Sequence, residues 1–182
     1  PMSPLAGLVY AAALLLGAAG VGKVARPGAT RIALRSAGLP ASAPAARALG
    51  LAEVLIALAA VAVGGPIATA FVAVSYLGFA WFARRLERMT RGAAPCGCFG
   101  ASSAPVGMLH VVVNLCIAVG VAVAAVDAPG PIWEAAADTP WAGVPFVGLI
   151  VLLTWLVFVA LTVLPETIAA AKAAPPTAGA SS

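Results

Sequence analysis

Two cysteines, Cys96 and Cys98, stand one residue apart in a short segment that otherwise consists of glycine, alanine, proline and phenylalanine. Gly97 between them lets the backbone turn tightly, and a disulfide across a single residue is strained and therefore easily reduced. Several arginines precede the pair and the start of a predicted helix follows it, and both features favour the thiolate that exchanges disulfides. The pattern predicts a dithiol–disulfide redox pair.

Two other interpretations of this pair stay open. The cysteines are small enough to serve as apolar packing residues without any redox role. A zinc site is not predicted, because zinc takes four ligands and His110 is the single histidine of the chain. Two-coordinate Cu(I) needs only soft thiolates, so it is the metal alternative. The third cysteine, Cys116, lies within a predicted helix, and we expect it to pack there.

Four polar side chains in apolar segments are candidates for supporting roles. Glu53 lies deep in a predicted membrane helix, where a carboxylate needs a partner, and Lys23 lies near the same depth. We therefore expect an ion pair between them, which acts either as a clasp between helices or as a proton acceptor near the thiols. His110 and Asn114 are four residues apart on one helix face, which favours a neutral histidine bonded to Asn114. A proton relay to the cysteines is the alternative for this pair.

The composition shows what kind of molecule carries these residues. Hydrophobic residues make up 63% of the 182 residues and charged residues only 9%, and the mean hydropathy is +1.07. A soluble domain needs roughly 25% charged residues to cover its surface. This excludes a soluble enzyme, a disordered chain and a nucleic-acid-binding module, and it predicts a protein embedded in the lipid bilayer.

Long unbroken apolar runs predict an all-α membrane protein, a bundle of four core transmembrane helices with a fifth at the C-terminus. The uncharged run from Val54 to Ala83 is too long for one span, and Gly64-Gly65-Pro66 divides it into a hairpin. Residues 1–126 form the four-helix membrane domain, 127–142 an acidic loop, 143–165 the additional helix and 166–182 a disordered tail. A short interfacial helix is expected at Ala29–Ala37. The predicted spans are Leu5–Val24, Pro44–Val63, Pro66–Phe82, Pro105–Val126 and Val144–Leu164.

Five spans place every basic residue on one side of the membrane. The ten are Lys23, Arg26, Arg31, Arg35, Arg47, Arg84, Arg85, Arg88, Arg91 and Lys172. The other side carries Asp127, Glu134 and Asp138. By the positive-inside rule, the N-terminus lies outside, and the C-terminus and the Cys96–Cys98 loop face the cytoplasm of a multi-pass cell-membrane protein.

The stretch Pro95-Cys96-Gly97-Cys98-Phe99-Gly100 resembles the Cys-x-Cys-Phe-Gly signature of the MauE family, within the DoxX-like membrane proteins. Gly22-Lys23, Gly38-Leu39-Pro40, Glu53 and Asn114 are similar to further family positions. The resemblance covers about residues 5–126 and implies a four-helix membrane protein linked to the maturation of methylamine dehydrogenase. It also implies support of disulfide formation with a thioredoxin-like partner.

The sequence as a whole predicts a membrane thiol–disulfide redox protein that passes reducing equivalents through Cys96 and Cys98 to a partner protein. The family role concerns substrates outside the cytoplasmic membrane, whereas the charges place the thiols at the cytoplasmic side. No cofactor is predicted, and no quinone motif is recognisable. The alternatives are a scaffold subunit of a larger membrane complex, packed through small-residue helix faces, and a Cu(I)-binding membrane protein.

Overall fold

The computed structural model describes residues 5–91, 93–94, 106–137 and 140–173. Cys96 and Cys98 lie outside this part of the chain. The described residues form helices and turns. The elements in chain order are α1 (Ala6–Ala25), α2 (Pro27–Ser36), α3 (Ala43–Ala62), α4 (Gly65–Thr90), α5 (Met108–Ala124), a 3-10 turn (Ala125–Asp127), α6 (Ile132–Ala137) and α7 (Pro140–Ala173).

Four helical segments are long and apolar enough to cross a membrane, which confirms the predicted four-helix core. They are α1, α3, α4 and the run Met108–Asp127 that begins with α5. The fifth predicted span corresponds to a shorter apolar stretch, Pro145–Ala160, within α7. Helix α2 confirms the short helix predicted after the first span.

Local sequence explains how α3 and α4 begin. Ser42 caps α3, because its hydroxyl accepts a hydrogen bond of 3.2 Å from the backbone N–H of Ala45, and Pro44 suits the first turn. The predicted hairpin turn follows α3, where Gly64 and Gly65 adopt φ values of 69° and 84°. These left-handed conformations favour glycine. A Cβ on Gly64 would also lie 2.5 Å from the backbone of Gly130, so the turn is packed as well as bent.

Several helix boundaries differ from the predicted ones. Helix α4 continues to Thr90 instead of ending near Phe82. The charged residues after Phe82 are unsuited to the lipid but still favour helix. Helix α5 begins at Met108, with Gly107 at its N-cap, rather than near Pro105. Helix α6 lies inside the predicted acidic loop, and α7 continues beyond residue 166, where the sequence predicts a tail.

The helices pack around a buried core and leave two chemically different ends. The core contains Leu16, Val72, Tyr76 and Val121, from α1, α4 and α5. The basic end joins α2 to the end of α4 and the start of α5, through Ala33, Ala37, Ala83, Leu86, Ala94 and Val106. The acidic end joins the start of α1 and the α3–α4 turn to the chain after α5, through Tyr10, Gly65, Pro129 and Gly130. This segregation confirms the predicted alternation of the spans, with Asp127 and Glu134 near the acidic end.

Helix α7 runs beside α1 in the same direction. Phe146 contacts Tyr10 edge-on, with ring centroids 6.2 Å apart, and Thr154 Oγ1 lies 3.5 Å from the carbonyl oxygen of Ala11. Later contacts on α7 therefore meet later residues of α1. The C-terminal part of α7 consequently points toward the basic end.

Candidate functional site

Lys23 and Glu53 form a buried ion pair between α1 and α3. The distance from Lys23 Nζ to Glu53 Oε2 is 2.7 Å, and each side chain is 3% exposed. This confirms the predicted pairing. A charge buried among membrane helices is expensive unless it is compensated, so each residue makes the other tolerable at this depth.

Two glycines allow the helices that carry this pair to approach each other. A Cβ placed on Gly20 would lie 2.6 Å from the carbonyl oxygen of Gly50, and a Cβ on Gly50 would lie 2.6 Å from that of Gly20. Side chains at either position would push α1 and α3 apart. Lys23 lies beside Gly50 and Glu53 beside Gly20, so the ion pair forms directly at this close crossing.

Two aromatic residues of α4 lie on the side of the ion pair that faces this helix. Lys23 Nζ lies 5.0 Å from the centroid of the Phe79 ring, a cation–π contact in a desolvated setting. One turn earlier, the buried Tyr76 hydroxyl donates to the carbonyl oxygen of Ala12 at 2.9 Å and so fixes α4 against α1. The second carboxylate oxygen of Glu53, Oε1, is buried and has no hydrogen-bond partner among the described residues.

Glu53 and Lys23 line a cavity of about 330 Å³. Helix α2 forms one wall through Thr30, Ala33 and Leu34. Helix α4 forms another, through Ser75, Gly78, Phe79, Trp81 and Phe82. The Ser75 hydroxyl is occupied within its own helix, where it donates to the carbonyl oxygen of Phe71 at 2.8 Å. The cavity is therefore mainly apolar, with the ion pair as its polar feature.

His110 and Asn114 are both buried on α5, but their contact differs from the predicted one. Asn114 Nδ2 donates to the backbone carbonyl oxygen of His110 at 2.6 Å, rather than to its imidazole ring. Because α5 begins at Met108, His110 occupies the first helical turn, where its N–H donates to the carbonyl oxygen of Gly107. It therefore lies nearer the end of its helix than the predicted start at Pro105 implied.

The described residues on either side of the cysteine segment, Ala94 and Val106, are hydrogen-bonded to each other. The backbone N–H of Val106 donates to the carbonyl oxygen of Ala94 at 3.0 Å, and both residues are buried at the basic end. The predicted redox pair, Cys96 and Cys98, lies outside the described residues, between these two positions. Cys116 is exposed on the outer face of α5, so the expectation that it packs inside the protein was wrong.

The arginines before this segment make specific contacts. Arg84 Nη1 lies 2.7 Å from Glu87 Oε2 in an ion pair along α4. Arg85 Nε donates to the carbonyl oxygen of Ala37 at 2.7 Å and holds the end of α2 against α4. Arg91 ends α4 in a left-handed conformation, with φ 52°. The positive charge that precedes the cysteine segment in the sequence therefore belongs to the end of α4.

The cavity and its aromatic wall were not predicted. Phe79 follows Tyr76 by three residues, which places both on one face of α4, and this spacing is the signal that was available. Among the described residues, no group of three or more histidine, cysteine or acidic side chains is arranged to hold a metal ion.

Four apolar helices long enough to cross a bilayer, among the described residues, indicate a multi-pass helical membrane protein. The family model for Methylamine utilisation protein MauE matches residues 2–127. The chain therefore belongs to the MauE family, as its Cys-x-Cys-Phe-Gly stretch indicated, and α7 lies beyond the matched region. Neither a curated protein nor a solved structure matches the chain.

Proposed function

We propose that this MauE-family protein is a membrane thiol–disulfide redox protein that passes reducing equivalents through Cys96 and Cys98. The observation that carries the proposal is the hydrogen bond from the Val106 N–H to the Ala94 carbonyl oxygen, which joins the residues on either side of the cysteine segment. We call these two joined residues the base of the segment. Covalent geometry keeps Cys96, two residues from Ala94, within about 7 Å of that base. The proposal therefore assigns the exchange reaction to the basic end of the bundle.

Two features of that base favour reactive thiolates. Helix α5 begins directly after the segment with Gly107 at its N-cap, and no side chain caps it. Its first N–H groups and its dipole favour negative charge nearby. The arginine-bearing end of α4 supplies positive charge on the other side, and both effects lower the cost of forming a thiolate.

The exchange reaction needs only the two cysteines and the disulfide of a thioredoxin-like partner, because the electrons and protons lost by one are gained by the other. One thiolate attacks a sulfur of the partner's disulfide, and a mixed disulfide forms while the partner's other sulfur leaves as a thiolate. The second cysteine then attacks the mixed disulfide, so Cys96 and Cys98 become a disulfide and the partner becomes a dithiol. Two electrons and two protons pass to the partner, and the reverse sequence supports disulfide formation in it.

The ion pair of Lys23 and Glu53 is the clasp in this proposal and not a reacting group. It fixes α1 on α3, and α1 in turn carries α2. Ala33 of α2 and Ala37, which follows that helix, pack in one cluster with Ala94 and Val106. The supporting role of His110 and Asn114 is to hold the first turns of α5, directly after the cysteine segment. Helix α7 crosses the membrane as a fifth span, so that the C-terminus shares the cytoplasmic side with the thiols.

Alkylation mass shift tests the proposal in membranes poised across a glutathione series. We expect Cys96 and Cys98 to interconvert together between dithiol and disulfide. Cys96→Ser or Cys98→Ser abolishes the exchange, and one of the two traps a mixed disulfide with the partner. Cys116→Ser is the matched control, because Cys116 lies exposed on α5. Two thiols that stay reduced at every potential, with function kept in the double serine variant, would overturn the proposal in favour of a scaffold. Stoichiometric copper bound by the purified protein would favour Cu(I) handling.

A further inference from the structure

The cavity between α2, α3 and α4 has the features of a binding site for a small lipophilic molecule. Its volume of about 330 Å³ lies within the range of small-molecule pockets, roughly 300–1,000 Å³. Its walls come from four elements, since Lys23 belongs to α1, and they are mostly aliphatic or aromatic. The inference rests on described residues and does not depend on the redox proposal.

Glu53 Oε1 points to a ligand that donates a hydrogen bond. The side chain lines the cavity and is 3% exposed, and Oε1 has no hydrogen-bond partner among the described residues. A buried acceptor without a partner is unfavourable, and more so when it is charged, so a donor placed there is favourable. An ionised carboxylate accepts but does not donate, and the ligand must therefore carry an O–H or N–H group.

The ion pair also limits the charge of the ligand. Lys23 already compensates Glu53 at a distance of 2.7 Å, so the charges lining the buried part of the cavity sum to zero. A charged ligand would bring an uncompensated charge into a low-dielectric site. A neutral molecule avoids this cost, and an anionic phospholipid headgroup does not fit beside the carboxylate.

The aromatic wall indicates the shape of the ligand. Phe79, Trp81 and Phe82 line the cavity from α4, and Trp81 is 57% exposed at its rim. Aromatic side chains favour a planar ring that packs face-to-edge or offset against them. The volume suits a single ring with a short tail rather than a lipid with two acyl chains.

We propose that this cavity binds a neutral lipophilic phenol or hydroquinone, whose hydroxyl donates a hydrogen bond to Glu53 Oε1. The ring lies against the aromatic residues of α4, and the apolar tail extends past Trp81 toward the lipid.

The test measures binding of 4-hexylphenol to the purified full chain in detergent micelles, with 4-hexylanisole as the matched probe that lacks the donor. A Cys96→Ser/Cys98→Ser background removes thiol exchange, so failure of the redox proposal does not affect the result. Trp133→Phe, Trp141→Phe and Trp155→Phe leave Trp81 as the reporter. We expect saturable quenching of Trp81 fluorescence by the phenol, with an affinity at least about tenfold higher than that of the anisole, because the site selects for the hydroxyl.

Two variants complete the test. Gly78 lines the cavity and a Cβ there meets nothing within 4 Å, so Gly78→Phe adds bulk to the cavity wall and should weaken phenol binding at least about tenfold. Gly148→Phe on α7, where a Cβ also meets nothing within 4 Å, should leave binding unchanged. The double variant Lys23→Met/Glu53→Leu should bind both probes equally. Equal binding of the two probes by the parent protein, undiminished binding to Gly78→Phe, or displacement of the phenol by phosphatidylglycerol would overturn the proposal.

Discussion

Gly20 and Gly50 face each other where α1 crosses α3, and each would place a Cβ 2.6 Å from the carbonyl oxygen of the other. Lys23 packs beside Gly50 and Glu53 beside Gly20, and their side chains meet across the crossing at 2.7 Å. Backbone contact and ion pair are therefore parts of one interface. Small residues let the helices approach, and the approach brings two buried charges within hydrogen-bonding distance.

The first prediction concerns this crossing. Gly20→Ala should lower the free energy of unfolding by about 1–3 kcal/mol, because the added methyl group meets backbone that cannot move aside. Thermal unfolding of the purified protein in detergent measures the loss. Gly148→Ala is the control, since its Cβ enters open space. It should be neutral or slightly stabilising, as alanine favours helix. Equal effects of the two substitutions would argue against close packing at the crossing.

The second prediction concerns the energetic coupling of the ion pair. Lys23→Met or Glu53→Leu alone should cost on the order of 3–5 kcal/mol, because each leaves one buried charge without its partner. The double variant should be milder than either single change. A double-mutant cycle on unfolding free energies gives the coupling, and additive effects would show that the two residues do not interact.

The ion pair Arg84–Glu87 is the matched control for that cycle. Its distance is also 2.7 Å, but its side chains are 42% and 22% exposed. Exposed pairs of this kind contribute about 0.3–0.5 kcal/mol because water and salt screen them. A coupling at Arg84–Glu87 as large as that at Lys23–Glu53 would mean that burial is not the cause.

The third prediction is the orientation of the basic end. Arg91→Cys in a cysteine-free background should resist an impermeant maleimide in intact cells and react after the membrane is opened, because basic loops stay in the cytoplasm. Asp127→Cys, at the acidic end and exposed, should react in intact cells. The reverse labelling pattern would invert the topology.

The fourth prediction concerns the redox potential of the cysteine pair. A disulfide across one residue is strained, so its potential should be less negative than that of structural disulfides, which lie below about −300 mV. Changing Arg88 and Arg91 together to glutamine should raise the thiol pKa by removing nearby positive charge, and should slow exchange at neutral pH. Alkylation mass shift across a glutathione series gives the potential, and alkylation rates against pH show the change in thiol reactivity. Unchanged rates would mean that the helix end does not act on the thiols.

The helices and the ion pair could be predicted from the sequence because both depend on depth in the membrane. A carboxylate such as Glu53 needs a partner, and the basic-side position of Lys23 made it the candidate at the same level. The end of α4 could not be predicted in the same way. Hydropathy indicates where a segment leaves the lipid, whereas the helix itself continues past Phe82, through charged residues that favour helix, to Thr90.

Features that depend on side-chain geometry were beyond prediction. The i, i+4 spacing of His110 and Asn114 correctly placed them on one face, but it did not show that the amide bonds the backbone. Cys116 was expected inside, because an apolar helix gives little periodic signal when both of its faces contact apolar surroundings. The cavity beside Glu53 needs α2, α3 and α4 together, and no single segment of the sequence encodes it.

The buried ion pair makes the insertion of this protein depend on the order of its synthesis. Helix α1 is made before α3, so Lys23 enters the membrane when Glu53 does not yet exist. Because Lys23 lies near the end of α1, its flexible stem lets the ammonium remain at the lipid surface during that interval. Arrival of α3 supplies the opposite charge, and the ammonium can then move inward. We therefore expect the nascent chain to keep the Lys23 charge at the water boundary until Glu53 has been translated.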